Sequence, residues 1–310
     1  MRENEHSAPV VEVRDLRMRY GATDVLTGVD FTVGAGEVVC LLGPNGAGKT
    51  TTIEILEGFR QRSAGSVSVL GEDPSRATEG WRARTGVVLQ SWRDHPRWTP
   101  RRLLDQMGGY YAPYGTAERP RPTPTEELLD VVGLTDLADQ KISTFSGGQR
   151  RRLDVAMGIV GRPDLLFLDE PTAGFDPQAR REFHHLVHRL ADLEDTTILL
   201  TTHDLDEAEK LADRVLILAG GRIVADDTAE RLALRAAIEV EVKWSRDGER
   251  FVHATQDATA FVHRLLDEHG AAVEDLEVRR ASLEDAYLAL VQRHESGQSD
   301  EAAQAFTEVI

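Results

Sequence analysis

Gly43-Pro44-Asn45-Gly46-Ala47-Gly48-Lys49-Thr50 constrains the fold of this chain more than any other stretch. It fits the spacing G-x-x-x-x-G-K-[ST], a loop whose backbone N–H groups turn toward an anion. The apolar run Val38–Leu42 enters it and residues 51–56 leave it with helical spacing, so the loop sits between a strand and a helix. The helix adds its positive N-terminal dipole. Lys49 reaches toward the outer phosphates, and the hydroxyl of Thr50 suits Mg²⁺. A glycine-rich turn with an incidental lysine needs neither the buried strand nor the helix. The loop is read as the cradle of a nucleoside triphosphate.

Composition narrows the class of protein. The chain has 310 residues, 41% hydrophobic and 29% charged, as in an ordinary globular protein with room for a large domain and a small one. Its net charge of −17 argues against a nonspecific grip on nucleic acid, which needs a basic footprint. The single cysteine, Cys40, lies in the apolar run before the loop and reads as a small buried hydrophobe. That excludes a disulfide framework and points to a reducing compartment. Residues 1–9 are polar and lack the apolar core of a signal peptide. No stretch approaches the roughly eighteen apolar residues of a membrane span.

Along the chain, residues 10–13 alternate as a half-buried strand, Tyr20 follows in a short loop, and residues 29–33 read as another strand. This opening is expected to form an antiparallel β layer beside the nucleotide core. Tyr20 is either a surface aromatic or a platform for a base; its position alone does not decide. Residues 65–70 and 86–89 read as strands, the second ending in Gln90. Residues 103–114 and 126–132 read as helices, with Gly133 as a C-cap and a proline-rich loop at 120–124 between them.

Phe145-Ser146-Gly147-Gly148-Gln149 is the second informative stretch. Ser146 and Gln149 form a capping box for a helix running to Ile159. Capping does not account for Gly147 and Gly148, which weaken a first helical turn but let a phosphate approach the backbone. Residues 165–168 are an apolar strand ending in Asp169-Glu170. Two carboxylates at the C-terminal end of a buried strand suit a cation or a proton transfer. In phosphate-loop enzymes the first such acid belongs to the Mg²⁺ shell, and a nearby polar group positions water. Asp176 follows in a Gly-Phe-Asp-Pro turn, and a strand at 196–200 runs out at Thr201-Thr202-His203. A lone histidine is commonly structural, but this one lies at the same sheet edge as the phosphate loop. Residues 215–218 and 222–225 read as a hairpin about Gly220-Gly221, and residues 226–237 as a helix leading out of this domain. A small α+β pattern follows, with strands at 238–244, 251–254 and 273–278 and helices at 259–266 and 283–291.

Tyr20, the loop at 43–50, Gln90, Ser146 to Gln149, Asp169-Glu170, Asp176 and His203, in this order, resemble the ATP-binding subunit of ABC transporters. The resemblance covers about residues 10–227. It implies an α/β fold: a phosphate-loop NTPase core with an antiparallel β layer and a helical subdomain at about 91–160. A flexible N-terminus at 1–9, a small C-terminal α+β domain at 228–294 and a flexible tail at 295–310 complete the expected organisation. The cofactors implied are ATP and Mg²⁺. Two such domains would dimerise head to tail with two ATPs between them. Tyr20 would stack on adenine, and Gly43, Pro44, Asn45, Gly46, Ala47, Gly48, Lys49, Thr50 and Thr51 would hold the phosphates. Thr50, Asp169 and Gln90 would serve Mg²⁺. Glu170 would act as general base or water-polarising group, with His203 on the γ-phosphate and Gln90 near the attacking water. Ser146, Gly147, Gly148 and Gln149 would reach the γ-phosphate held by the opposite copy, and Asp176 would cross the dimer interface.

Phe145 and Phe175 stand where the family usually has leucine, apolar exchanges that leave the chemistry alone. The stretch 90–102, with Trp92, Trp98 and several basic residues, is either a coupling surface or an ordinary loop. The segment 281–290, Ala-Ser-Leu-Glu-Asp-Ala-Tyr-Leu-Ala-Leu, is similar to the closing segment of ABC-2 type exporter subunits of the drug- and antibiotic-resistance group. The implied function is an ATP-hydrolysing energy-coupling subunit, cytoplasmic and peripheral to the membrane. It would drive efflux of a drug-like, antibiotic or lipid substrate through a separate permease. The competing reading is a soluble ATPase acting as a switch on ribosomes or DNA. Acidic charge, a single cassette and the lack of a long coiled coil weigh against it.

Overall fold

The computed structural model describes residues 8–88, 96–172, 175, 177–194, 196–236, 240–246, 249–255, 257–279 and 282–295. They divide into two compact units between Asp226 and Asp227.

The first unit opens with β1 (Val11–Tyr20) and β2 (Thr23–Val33), an antiparallel hairpin whose alternating residues Val11, Val13, Leu16 and Met18 turn inward. Tyr20 is therefore the last residue of a strand, paired with Thr23, and not part of a loop. The expected four-residue strand is longer because register shifts carry the pairing past Arg14 and Asp15, where strict alternation fails. Next come β3 (Val38–Leu42), buried throughout, α1 (Lys49–Leu56) and β4 (Ala64–Val69), which pairs with β1 and completes a three-stranded antiparallel sheet.

The rest of the unit is α2 (Glu79–Arg82), β5 (Thr85–Val88), α3 (Pro100–Tyr111), α4 (Thr125–Val131), α5 (Gly147–Ile159), β6 (Leu165–Asp169), α6 (Pro177–Glu194), β7 (Thr197–Thr202), α7 (Leu205–Leu211), β8 (Arg214–Ala219) and β9 (Arg222–Asp227). The second sheet has the order β5-β6-β7-β3-β8-β9, and its strands from β5 to β8 pair in parallel. Such strands are covered on both faces, which explains the unbroken apolar runs of β3, β6 and β7. Helices α2, α6 and α7 extend the sequence reading, which assigned none of them. For α6 the signal was present: Phe183, Leu186, Val187 and Leu190 recur at helical spacing and are buried. Parallel pairing aligns Leu42 with Thr202 and Asp169 with Thr201, so β3, β6 and β7 all end at one edge of the sheet. Ligands of open α/β sheets gather at that edge.

The second unit contains α8 (Ala229–Ala236), β10 (Val240–Arg246), β11 (Glu249–Thr255), α9 (Ala258–His269), β12 (Glu274–Arg279) and α10 (Leu283–Glu295). Its antiparallel sheet, β11-β10-β12, is held to α9 by Trp244, whose ring lies 5.4 Å from Phe251 and 5.6 Å from Phe261. Leu232 of α8 and Leu283, Ala286 and Leu290 of α10 are buried in the same unit.

Candidate nucleotide site

The loop between β3 and α1 is shaped by close approaches that only glycine permits. A Cβ on Gly43 would stand 2.4 Å from the Leu218 carbonyl oxygen. Gly48 has φ +106°, and a Cβ there would stand 2.6 Å from Leu26 Cδ2. The Lys49 ammonium, almost fully buried, donates to the carbonyls of Gly43 (2.7 Å) and Pro44 (3.3 Å) and lies 3.8 Å from Glu170 Oε1. Burial lowers its pKa, and the Glu170 and Asp169 carboxylates oppose that shift. The cation is thus folded back across the mouth of its own loop, where an incoming phosphate would give it a stronger partner.

The β6 edge meets this loop. Thr50 Oγ1 donates to Asp169 Oδ2 at 3.4 Å, while Thr201 Oγ1 donates to Asp169 Oδ1 at 2.5 Å. Glu170 is held with φ +43°, a conformation L-residues seldom adopt, and its N–H donates to the Thr201 hydroxyl (3.1 Å) and carbonyl (3.2 Å). His203 Nδ1 stands 3.3 Å from Glu170 Oε1. Lys49, Thr50, Asp169, Glu170 and His203, drawn from three separate stretches, therefore form one connected cluster. On the other side of the loop, Tyr20 keeps 39% of its surface exposed. Its hydroxyl lies 3.4 Å from Thr51 Oγ1, and the Arg60 guanidinium covers its ring at 5.0 Å.

Several residues in the cluster were not read from the sequence. Thr201 joins the Asp169 carboxylate to the Glu170 backbone N–H; a hydroxyl after the apolar run Ile198, Leu199 and Leu200 was its one signal. Arg151, buried in α5, donates to the carbonyls of Pro171 (2.8 Å) and Asp169 (3.3 Å), tying the Ser146 helix to the carboxylate strand. Arg180 of α6 pairs with Asp204 at 2.8 Å, and Glu207 accepts from Thr202 at 2.5 Å, so both neighbours of His203 are fixed.

The second predicted stretch lies elsewhere on this unit. Ser146 and Gln149 make both bonds of the capping box, at 3.3 and 3.0 Å. A Cβ on Gly147 would meet nothing within 4 Å, whereas one on Gly148 would stand 3.2 Å from Ala179 Cβ, so the first turn of α5 is open at Gly147 and packed on α6 at Gly148. Among the described residues, Ser146 and Gln149 bond each other and not the Lys49 cluster. Gln90 and Asp176, with Trp92, lie outside the described residues. Of the arginine-tryptophan stretch, Arg102 packs over the Trp98 ring at 4.6 Å. Phe175 meets Phe183 of α6 edge-on at 6.0 Å, which gives the phenylalanine an apolar seat.

The family model described as ABC transporter matches residues 26–173. The chain is 38% identical to a daunorubicin resistance ATP-binding protein of Streptomyces coeruleorubidus, over 94% of this chain and 98% of the relative. The chain belongs to the ABC transporter family. It is also 43% identical to a Nod factor export ATP-binding protein of Burkholderia lata, covering 75% of this chain and 73% of that one. A solved structure of an ATP-binding subunit of an ABC transporter is similar, with 30% identity and a TM-score of 0.62, covering 73% of this chain and 92% of that one. The chain is an ATP-binding and ATP-hydrolysing subunit of this family, of the branch that powers export.

Proposed function

We propose that two copies of this chain close head to tail around two ATP molecules and drive a separate membrane permease that expels a drug-like, antibiotic or lipid molecule. The observation that carries the reading is the convergence of Lys49, Thr50, Asp169, Glu170 and His203 at the C-terminal edge of the parallel sheet. Residues 10–227 are the nucleotide-handling domain in this account, and residues 228–294 a separate appendage. The loop from Gly43 to Thr51 surrounds the phosphates, and Tyr20 offers its exposed face to adenine.

The Thr50 hydroxyl and the Asp169 carboxylate, 3.4 Å apart, are two hard oxygen donors of the kind Mg²⁺ takes beside phosphate oxygens. Bound there with Gln90, the ion would neutralise charge on the β- and γ-phosphates. Lys49 exchanges its loop carbonyls for phosphate oxygens. Glu170 accepts hydrogen bonds from the attacking water and orients it in line with the γ-phosphate, and His203 braces Glu170 and contacts the same phosphate. The first turn of α5, at Ser146 to Gln149, completes the site of the opposite copy, and Asp176 would cross that interface as the family resemblance implies. Isolated copies would therefore bind ATP but hydrolyse it only when paired.

Among the described residues no helix is long and apolar enough to cross a membrane, which supports a permease in a separate chain and a peripheral position for this one. The names of the two relatives, daunorubicin resistance and Nod factor export, support outward transport. The test is to tag the chain in its native cell, solubilise membranes gently and identify what co-purifies. A stoichiometric multi-span protein is expected. Ribosomal or DNA-bound partners with no membrane protein would overturn the transport reading.

A further inference from the structure

Tyr20 ends β1 at a tight turn, its partner across the hairpin being Thr23. An aromatic ring in such a place swings freely unless something holds it. This one is held at its edge and on a face. Its hydroxyl lies 3.4 Å from Thr51 Oγ1, which ties the tip of the ring to the first turn of α1. The Arg60 guanidinium lies 5.0 Å from the ring centroid.

Arg60 is itself fixed. Gly58, with φ +78°, turns the chain back after α1, and a Cβ there would stand 2.6 Å from the Pro74 carbonyl oxygen. The turn lets the N–H groups of Phe59 and Arg60 both donate to the Glu54 carbonyl, at 2.9 and 3.0 Å. The Glu54 carboxylate then accepts from Arg60 Nε at 2.6 Å. One glutamate of α1 thus grips Arg60 by backbone and by side chain. With 34% and 33% of the two side chains exposed, their ion pair is partly shielded from water and holds its geometry better than a fully solvated one. Three residues on, Ser63 stitches the same segment to β1. Its N–H donates to the Arg17 carbonyl at 2.9 Å, and its hydroxyl accepts from the Arg19 N–H at 3.0 Å.

A cation over an aromatic face is attracted by the negative face of the ring. The guanidinium therefore occupies one face of Tyr20 and leaves the other for a planar ligand. A platform already immobilised loses less side-chain freedom when a base arrives, and that preorganisation appears as affinity. The opposite use of the same contact would make Arg60 a cap that must leave before a base can stack. Glu54 argues against the cap, because the guanidinium could leave only by breaking a charge-assisted bond.

We propose that Arg60 is a positioning residue for the base: held by Glu54, it backs the Tyr20 ring so that adenine stacks on the opposite face. The inference rests on the reading that Tyr20 receives adenine, and it deepens that reading by naming the residue that sets the platform.

Calorimetric titration with ATP and with inorganic triphosphate tests it. Arg60→Ala is expected to weaken ATP about two- to fivefold, the worth of one exposed cation–π contact, and to leave inorganic triphosphate unchanged. The KM for ATP should rise by the same factor with kcat kept. Arg60→Lys, which keeps the cation, should recover part of the lost affinity. In the Tyr20→Ala background, Arg60→Ala should cost less than about twofold, because the ring through which it acts is gone. Triphosphate binding at wild-type strength shows that each variant is folded. Unchanged or tighter ATP binding by Arg60→Ala overturns the assignment, as does an equal loss for triphosphate or an undiminished loss in the Tyr20→Ala background. If Tyr20→Ala binds ATP as the wild type does, the adenine reading falls and this inference with it. If Tyr20→Ala weakens ATP and Arg60→Ala does not, the adenine reading stands and the role of Arg60 alone is refuted.

Discussion

Replacing Glu57 with Gln should stabilise the protein, and increasingly so as pH rises. Burial is the main reason that the Glu57 pKa is pushed up from the ordinary 4.5 of a glutamate to about 8, with Asp169 and Glu54 adding to it. The groups facing it are Glu54 on its own helix, Asp169 on β6, Asp154 on α5 and Arg82 on α2. Below about pH 4.5 the carboxyl is protonated folded and unfolded, and it contributes no pH dependence. Between there and about pH 8 the unfolded chain has lost the proton and the folded one keeps it. Each pH unit then subtracts about 1.4 kcal/mol from stability. Above about pH 8 the loss is complete. From pH 6 to pH 8 the wild type should lose on the order of 2–3 kcal/mol relative to Glu57→Gln, whose amide has no proton to lose. Paired urea unfolding curves at the two pH values give the difference, and other titrating groups cancel in the comparison. A wild-type-minus-variant gap that stays constant with pH would show that Glu57 is not buried as a neutral acid.

Lys49→Ala removes the ammonium that the loop carbonyls hold, and ATP affinity should fall at least about tenfold; unchanged affinity by calorimetry contradicts the phosphate-loop geometry. Gly147→Asp adds a side chain where a Cβ meets nothing, so melting temperature and ATP affinity of the single copy should stay as they are. Its carboxylate would nevertheless repel the γ-phosphate of the opposite copy, and phosphate release should drop by about 100-fold or more. Tyr20→Ala should weaken ATP by about 1–3 kcal/mol, the usual worth of stacking a base on an aromatic ring, and weaken inorganic triphosphate not at all. Chelating Mg²⁺ should stop hydrolysis in a phosphate-release assay, and full activity in excess chelator would contradict the role given to Thr50 and Asp169.

The phosphate loop was legible because backbone geometry dictates its letters. Gly43 and Gly48 are glycine for want of space, and Lys49 must follow the last turn. Asp169-Glu170 was legible because two acids closing a buried strand have no structural excuse. Thr201, Arg151, Arg180 and Glu207 were not, since each acts through a contact made across the fold, and a threonine or arginine in isolation carries no address. The strand order that brings 42, 169 and 202 to one edge is likewise a tertiary fact. Tyr20 shows the intermediate case: the sequence singled it out, and the register of β1 on β2 turned a supposed loop residue into a strand end beside Thr51. Glu57 was overlooked because a glutamate after a helix looks like a solvated C-terminus until α3 and α5 are seen to enclose it.

Phosphate release from Mg-ATP by the full chain, compared with Glu170→Gln, tests the central claim most directly. The account predicts turnover by the wild type, a loss of about 100-fold or more in the variant with ATP affinity retained, and ATP-trapped dimers on size exclusion. Hydrolysis by Glu170→Gln at the wild-type rate would contradict it.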